Sequence, residues 1–278
     1  MNIEENIKLA AEAIKNSDAL LITAGAGIGV DSGLPDFRGN SGFWREYPAI
    51  AKLGKSFSEM ANPVWFEKDP KVAWAFYGHR LNLYRKINPH SGFDILLNEA
   101  KQKKYGYFVF TSNVDGQFQK AGFDNDKIDE CHGSIHHLQC SKPCSHKIWS
   151  TKDIDIEVDM NVFEALEPFP LCPECGSIAR PNILMFGDWA WLSDRNNEQS
   201  SRFNKWVYNL KNNNAKIAII EMGAGHAIPT VRMHSQHTFR NLSANLIRIN
   251  PRDYDVPQGG ISIPLESKEG IERIFEMI

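Results

Sequence analysis

Four short apolar runs constrain this chain most: Ala19 to Ala24, Tyr107 to Thr111, Lys216 to Glu221 and Asn245 to Asn250. Short, continuously apolar runs of this kind read as strands buried in a parallel sheet. Apolar residues at helical spacing fall between some of them, at Asn6 to Lys15 and Gly92 to Lys103. Strands alternating with helices predict βαβ units and an α/β, doubly wound sheet. In open sheets of that class, ligands bind beyond the carboxyl ends of the strands. Here the first run leads into Gly25-Ala26-Gly27 and the second closes on Thr111-Ser112-Asn113-Val114-Asp115. The third leads into Met222-Gly223-Ala224-Gly225 and the fourth ends in Asn250. Small and polar residues therefore gather on one edge, where a nucleotide would lie.

Two stretches interrupt the alternation. Residues 40–90 are rich in aromatics (Phe43, Trp44, Tyr47, Trp65, Phe66, Trp74, Phe76, Tyr77) and read as mainly helical. Residues 133–182 hold four of the five cysteines and several prolines. Both read as insertions that together form a smaller domain, leaving 1–39, 91–132 and 183–278 for the sheet domain. At 278 residues the chain is long enough to bury a core in each. A net charge of −3 gives no basic field for nucleic acid. No apolar run reaches the roughly 18 residues of a membrane span. Met1 to Lys15 lacks the apolar centre of a signal peptide, so a cytoplasmic location is expected.

The cysteines fall as Cys140/Cys144 and Cys172/Cys175, with Cys131 left beside His132. In a chain that is not secreted, close pairs favour a metal over disulfides. Four tetrahedral thiolates suit Zn²⁺ and leave no open position, which means a structural site. The first pair is C-x3-C, one residue wider than the usual spacing, and His146 is an alternative ligand. A Cys131–His132 nucleophilic pair is disfavoured, because adjacent side chains rarely face one another. Gly25-Ala26-Gly27-Ile28-Gly29 lets backbone approach a pyrophosphate, and a following helix N-terminus would favour an anion. Val30 occupies the sixth position, and no strand ending in Asp or Glu follows about twenty residues on, so a standard dehydrogenase is disfavoured.

The run continues Asp31-Ser32-Gly33-Leu34-Pro35-Asp36-Phe37-Arg38. With Gly25-Ala26-Gly27-Ile28 before it, this closely resembles the sirtuin signature. In the same order, Thr111-Ser112-Asn113-Val114-Asp115 resembles that family's Thr-Gln-Asn-Ile-Asp, and His132-Gly133-Ser134 its His-Gly-Ser. The cysteine pairs resemble its zinc module, and Arg180-Pro181 through Phe186-Gly187 its Arg-Pro…Phe-Gly-Glu. The resemblance implies a Rossmann-like NAD-binding domain with a smaller zinc-binding and helical domain built from the two insertions. It implies NAD as co-substrate, structural zinc on Cys140, Cys144, Cys172 and Cys175, and an acylated protein lysine as partner. The implied reaction is NAD-dependent deacylation, yielding nicotinamide, O-acyl-ADP-ribose and free lysine.

The same resemblance distributes roles. His132 is implied as general base toward a ribose hydroxyl, with Asn113 beside it in the catalytic set. Ser112, Asn113 and Asp115 would position the ribose and grip the nicotinamide carboxamide. Gly25, Ala26, Gly27, Gly223 and Gly225 would line the phosphates, and Asn250 would reach the adenosine ribose. Phe37 and Arg38 would close over the cofactor, with Asp36 beside them in the cofactor-binding set, while Leu184 and Phe186 would wall an apolar lysine tunnel. Tyr77 and Arg80, as Tyr-x-x-Arg, resemble the desuccinylase-type subgroup, where both bind an acyl carboxylate; residues 38–45 resemble it too. Placed i and i+3, the two share one helix face, and a guanidinium pairs strongly with carboxylate.

The chain also departs from the pattern. Ser112 replaces Gln, Ala224 and Gly225 replace Thr and Ser, and Asp188 with Trp189 and Trp191 stands where Glu and Leu-Pro are usual. These changes keep two other readings open. One is an NAD glycohydrolase or ADP-ribosyltransferase on the same site; the other is a non-catalytic NAD-binding sensor.

Overall fold

The computed structural model describes residues 2–35, 44–52 and 54–278. Its strands, in chain order, are β1 (Ala19–Ala24), β2 (Tyr107–Thr111), β3 (Ile128–Glu130) and β4 (Gly133–Cys140). There follow β5 (Ile148–Ser150), β6 (Val158–Asp159), β7 (Glu164–Ala165) and β8 (Ala179–Ile183). The last three are β9 (Ile217–Met222), β10 (Ala244–Ile249) and β11 (Ile261–Ile263). Six of them form one parallel sheet in the order β11-β10-β9-β1-β2-β3. The expected doubly wound sheet is therefore present, with short edge strands β3 and β11 added at its two margins.

Alternation along the strands builds two cores. Leu20 and Ile22 of β1 pack with Ile7 and Ile14 of the helix Ile3–Lys15, Phe93 and Leu96 of the helix Ser91–Gln102, and Ile271 and Ile274 of the helix Ser267–Phe275. Leu21 of the same strand turns the other way, with Ile219 and Leu246. There it meets Phe203 and Leu210 of the helix Asp194–Asn212 and Val231 of the helix Thr230–Asn241. A sheet buried on both faces explains why its central strands are apolar without interruption.

Strands β9 and β10 sit one residue away from the expected runs, for local reasons. The Lys216 carbonyl accepts from both Asp18 and Ala19, which takes it out of the regular ladder. At the other end, Asn250 turns its side-chain oxygen to the amides of Arg252 and Asp253, and so stops β10 at Ile249.

A third cluster joins the two interruptions. Trp74, Phe76 and Tyr77 of the helix Pro70–Lys86 pack with Ile135, Leu138, Ile156, Phe163 and Ala179. Asp69 caps that helix by accepting from Val72, and Pro70 opens it, where the missing amide costs nothing. Antiparallel strands β5-β4-β8 lie beside it. Its face carrying Tyr77, Arg80 and Tyr84 looks back toward the ends of the large sheet.

Within the sheet, Glu221 on β9 pairs in register with Arg248 on β10, and neither side chain is exposed. Arg248 Nη2 lies 3.0 Å from a Glu221 oxygen. Removing one partner of such a pair strands the other charge away from water. Glu221→Gln is expected to lower stability by about 3–5 kcal/mol, read as a lower urea midpoint with an unchanged slope.

Candidate functional site

The turns after β1 and β9 touch. A Cβ on Gly25 would lie 2.8 Å from the Gly223 carbonyl oxygen and 2.9 Å from Ala224 Cα. Gly223 has φ +59°, and a Cβ there would strike the backbone of Gly27 and Ile28. Gly27 donates its amide to the Gly223 carbonyl at 3.0 Å, which closes the seam. Only glycine fits this approach, and the seam leaves backbone rather than side chains facing the space above. The helix that follows is a single turn, Gly27–Val30, because Leu34 returns its amide to the Gly29 carbonyl. A full helix N-terminus is thus not what the glycine run delivers.

Above the seam lies a cavity of about 390 Å³, within the usual range for small-molecule sites. Gly25, Ala26, Ser112, Asn113, Asp115, His132, Gly223 and Gly225 all line it. Asn113 is fixed twice: its side-chain amide donates, through Nδ2, to the Gly25 carbonyl at 3.1 Å, and its backbone donates to Thr111 Oγ1 at 3.0 Å. The His132 ring bonds the Ser112 backbone, and its Nε2 lies 3.4 Å from the Thr230 hydroxyl. Burial holds its pKa below the usual histidine value, so the ring is neutral at pH 7 and can accept a proton. Gly133, with φ +79°, lets β4 pass against the Asn182 carbonyl directly after His132.

Asp115 is a buried carboxylate. Its Oδ1 accepts the Gln117 amide at 2.9 Å. Burial, aided by the negative charge of Glu130, pushes it up to about 6, against the opposing pull of that amide and of Arg80. The cavity continues to Tyr77, Arg80 and Tyr84 on the helix Pro70–Lys86, and to Leu184 and Phe186 on its open side. Arg80 donates to the Tyr84 hydroxyl from Nε at 3.1 Å and from Nη2 at 3.0 Å. The Tyr77 hydroxyl is buried and has no hydrogen-bond partner among the described residues. The segment carrying Leu184 and Phe186 is tied down by Asp188, whose oxygens take Arg180 Nη1 at 2.7 Å and Nη2 at 2.9 Å. Trp189 next to it is 99% exposed.

Apart from this cavity, Cys140, Cys144, Cys172 and Cys175 converge so that their sulfurs all lie within 4.8 Å of one another. The Cys140–Cys175 and Cys144–Cys172 sulfurs are 3.6 Å apart, with no disulfide among them. Thiolates at about 2.3 Å from a tetrahedral Zn²⁺ would stand about 3.8 Å apart, so the arrangement fits that ion. The wider C-x3-C spacing does not disturb it. His146 is not part of the group; it bonds Asp194 at 3.2 Å. Cys131 is half-buried, and desolvation pushes its thiol pKa up, the opposite of an activated nucleophile.

A Sir2 family model matches residues 25–207, more than half of the chain. The chain belongs to the Sir2 family. It is 32% identical over 183 residues to an NAD-dependent protein deacylase 1 of Caldanaerobacter subterraneus, covering 66% of each chain. Over 174 residues it is 35% identical to an NAD-dependent protein deacylase of Pyrococcus furiosus, covering 63% of this chain and 62% of that one. The matched region thus spans slightly under two thirds of these relatives' own lengths. The fold is similar to that of a Sir2 homolog–NAD complex at 24% identity, with a TM-score of 0.67 over 96% of this chain and 91% of that one. It is also similar to a structure described for sirtuin substrate affinity, at 22% identity and TM-score 0.67, covering 99% of both.

As a Sir2 family member, the chain brings most of the residues singled out in its sequence to one cavity. Asn250 and Gly27 are not on the cavity wall; the Asn250 amide donates to the Ala224 carbonyl at 2.9 Å and supports the seam from below. Asp36, Phe37 and Arg38 lie outside the described residues. Tyr84, Thr230 and the Arg180–Asp188 pair escape a reading by motif. Tyr84 alone carries a local signal, because it stands four residues after Arg80 on the same helix face. Among the described residues, no helix is long and apolar enough to cross a membrane.

For the metal, elemental analysis of the purified chain is expected to find one zinc per chain. Cys172→Ser should lose it and lower the melting temperature, whereas Cys131→Ser should retain it.

Proposed function

We propose that this Sir2 family member is an NAD-dependent protein-lysine deacylase, with residues 1–39, 91–132 and 183–278 as the NAD-binding domain and 40–90 with 133–182 as the small one. The observation that carries the reading is a neutral His132 opening on the same cavity as the Gly25–Gly223 seam, Asn113 and Asp115. Backbone at the seam suits a pyrophosphate, since no Cβ intervenes. Gly25, Ala26, Gly223 and Gly225 would face the phosphates, and Ser112 and Asn113 the nicotinamide ribose. Asn250, together with Gly27, would act by holding the seam. Asp115 would accept from the nicotinamide carboxamide when ionised. His132 would take the proton from a ribose hydroxyl as that oxygen attacks the acyl carbon. Structural zinc would hold the segment ends of the small domain and take no part in the chemistry.

The acyl group would enter past Leu184 and Phe186 and reach Tyr77 and Arg80. A buried cation, beside a phenol without a partner among the described residues, favours an acyl chain ending in a carboxylate. Names of similar proteins support deacylation and deacetylation generally; the acidic-acyl preference rests on these side chains.

The test is a peptide panel bearing acetyl-, succinyl- and long-chain acyl-lysine, with nicotinamide release followed alongside. Release should require acylated peptide; peptide-independent release would favour a glycohydrolase and overturn the reading. Arg80→Met should cut kcat/KM for succinyl-lysine about 10- to 100-fold, the loss of charge-assisted bonds.

The pH dependence follows from two groups. His132 must be neutral, and its pKa is below the usual histidine value. Asp115 must be ionised, and its pKa is about 6. Both requirements are met above about pH 6.5, so kcat/KM should be level through neutral pH and fall only on the acid side. His132→Ala should lose about 10²- to 10⁴-fold.

A further inference from the structure

Beyond the Tyr-x-x-Arg motif, the inner end of the cavity contains a third side chain, Tyr84. Its hydroxyl oxygen accepts from Arg80 Nε at 3.1 Å and from Nη2 at 3.0 Å. With two N–H groups on that oxygen, the phenol's own hydrogen must point away from the guanidinium. Tyr84 lines the cavity, as do Tyr77 and Arg80. The Tyr77 hydroxyl is buried and without a partner among the described residues, a state that costs free energy until a ligand meets it. Burial raises the pKa of both phenols, so both keep their protons at neutral pH.

Tyr84 also decides how Arg80 presents itself. Nε and Nη2 form the side-on edge of the guanidinium, and the Tyr84 oxygen sits against that edge. A ligand therefore cannot take that edge as a bidentate pair. The rings of Phe76 and Tyr84, at 5.1 and 5.5 Å from the guanidinium carbon, hold the head in place. The inner end thus brings together a guanidinium and two phenols that each have a hydrogen to give, with the Asp115 carboxylate opening on the same cavity. A ligand carboxylate, which carries acceptors alone, matches these donors. A methyl or alkyl end would bury the Tyr77 hydroxyl unpaired.

We propose that Tyr84 is a specificity-determining residue of this pocket: it occupies the side-on edge of Arg80 and gives its own O–H to the terminal carboxylate of a dicarboxylic acyl-lysine. This rests on the deacylase reading above and adds a residue that the motif does not contain.

Tyr84→Phe removes the hydroxyl and keeps the ring. The measurement is the ratio of kcat/KM for succinyl- over acetyl-lysine peptide in wild type, Tyr84→Phe and Arg80→Met, with melting curves on each. The ratio should fall about 10- to 100-fold in Tyr84→Phe, and the Kd for succinyl-lysine peptide without NAD should weaken alongside it. An unchanged ratio in Tyr84→Phe, with a fallen ratio in Arg80→Met, would overturn the role of Tyr84 and leave the pocket standing. An unchanged ratio in both would overturn the acidic pocket itself. Equal losses on both peptides would reduce Tyr84 to a structural role.

Discussion

Where β1 and β9 end, two stretches of backbone lie in contact with no side chain between them. The Gly25 and Gly223 turns approach so closely that a methyl group on either would meet the other's main chain. This contact forms the floor of the cavity. It also sets the height at which the β2 end carries Ser112, Asn113 and Asp115, because Ser112 donates its amide to the Ala24 carbonyl and Asn113 reaches the Gly25 carbonyl. Asn250 supports the seam through Ala224. A dinucleotide laid on this floor would meet main chain first and side chains only at its reactive end, near His132.

The site is less comfortable than the fold that holds it. The sheet pairs its buried charges, Glu221 with Arg248, and the loop beside the cavity does the same with Arg180 and Asp188. At the cavity, Asp115 is pushed up to about 6 by burial and the Tyr77 hydroxyl lacks a partner among the described residues. Strongly shifted and unsatisfied groups of this kind gather at functional sites, where the missing partner is a ligand. The raised Asp115 pKa also means that the folded state holds a proton more tightly than the unfolded one, so stability falls as pH rises through about 4 to 6. The ionised form needed at neutral pH is kept at a cost to stability.

Much of this was legible in the residues. The central strands announced themselves as apolar runs, since burial on both faces leaves no alternation to confuse them. The glycine and polar residues at their ends marked the site's edge, and the cysteine spacings marked the metal cluster. Short edge strands such as β3 and β11 were not legible, because three residues carry no period. The helix Asp194–Asn212 is mostly polar, with only Phe203 and Leu210 among its buried apolar residues, and so hid its packed face. Tyr84 was missed for another reason. Its significance lies in what Arg80 does with its guanidinium, and a motif names side chains without saying where their hydrogens point. Asn250 shows a structural use that its type did not announce: the fold employs it to end a strand and support a turn.

The central claim is that a dinucleotide on the glycine seam receives the acyl group within reach of His132. A single-turnover reaction of the chain with NAD and acyl-lysine peptide, resolved by mass, tests it most directly. Nicotinamide, deacylated peptide and ADP-ribose carrying the acyl group should appear in equal amounts. Unmodified ADP-ribose with the peptide still acylated would contradict the account.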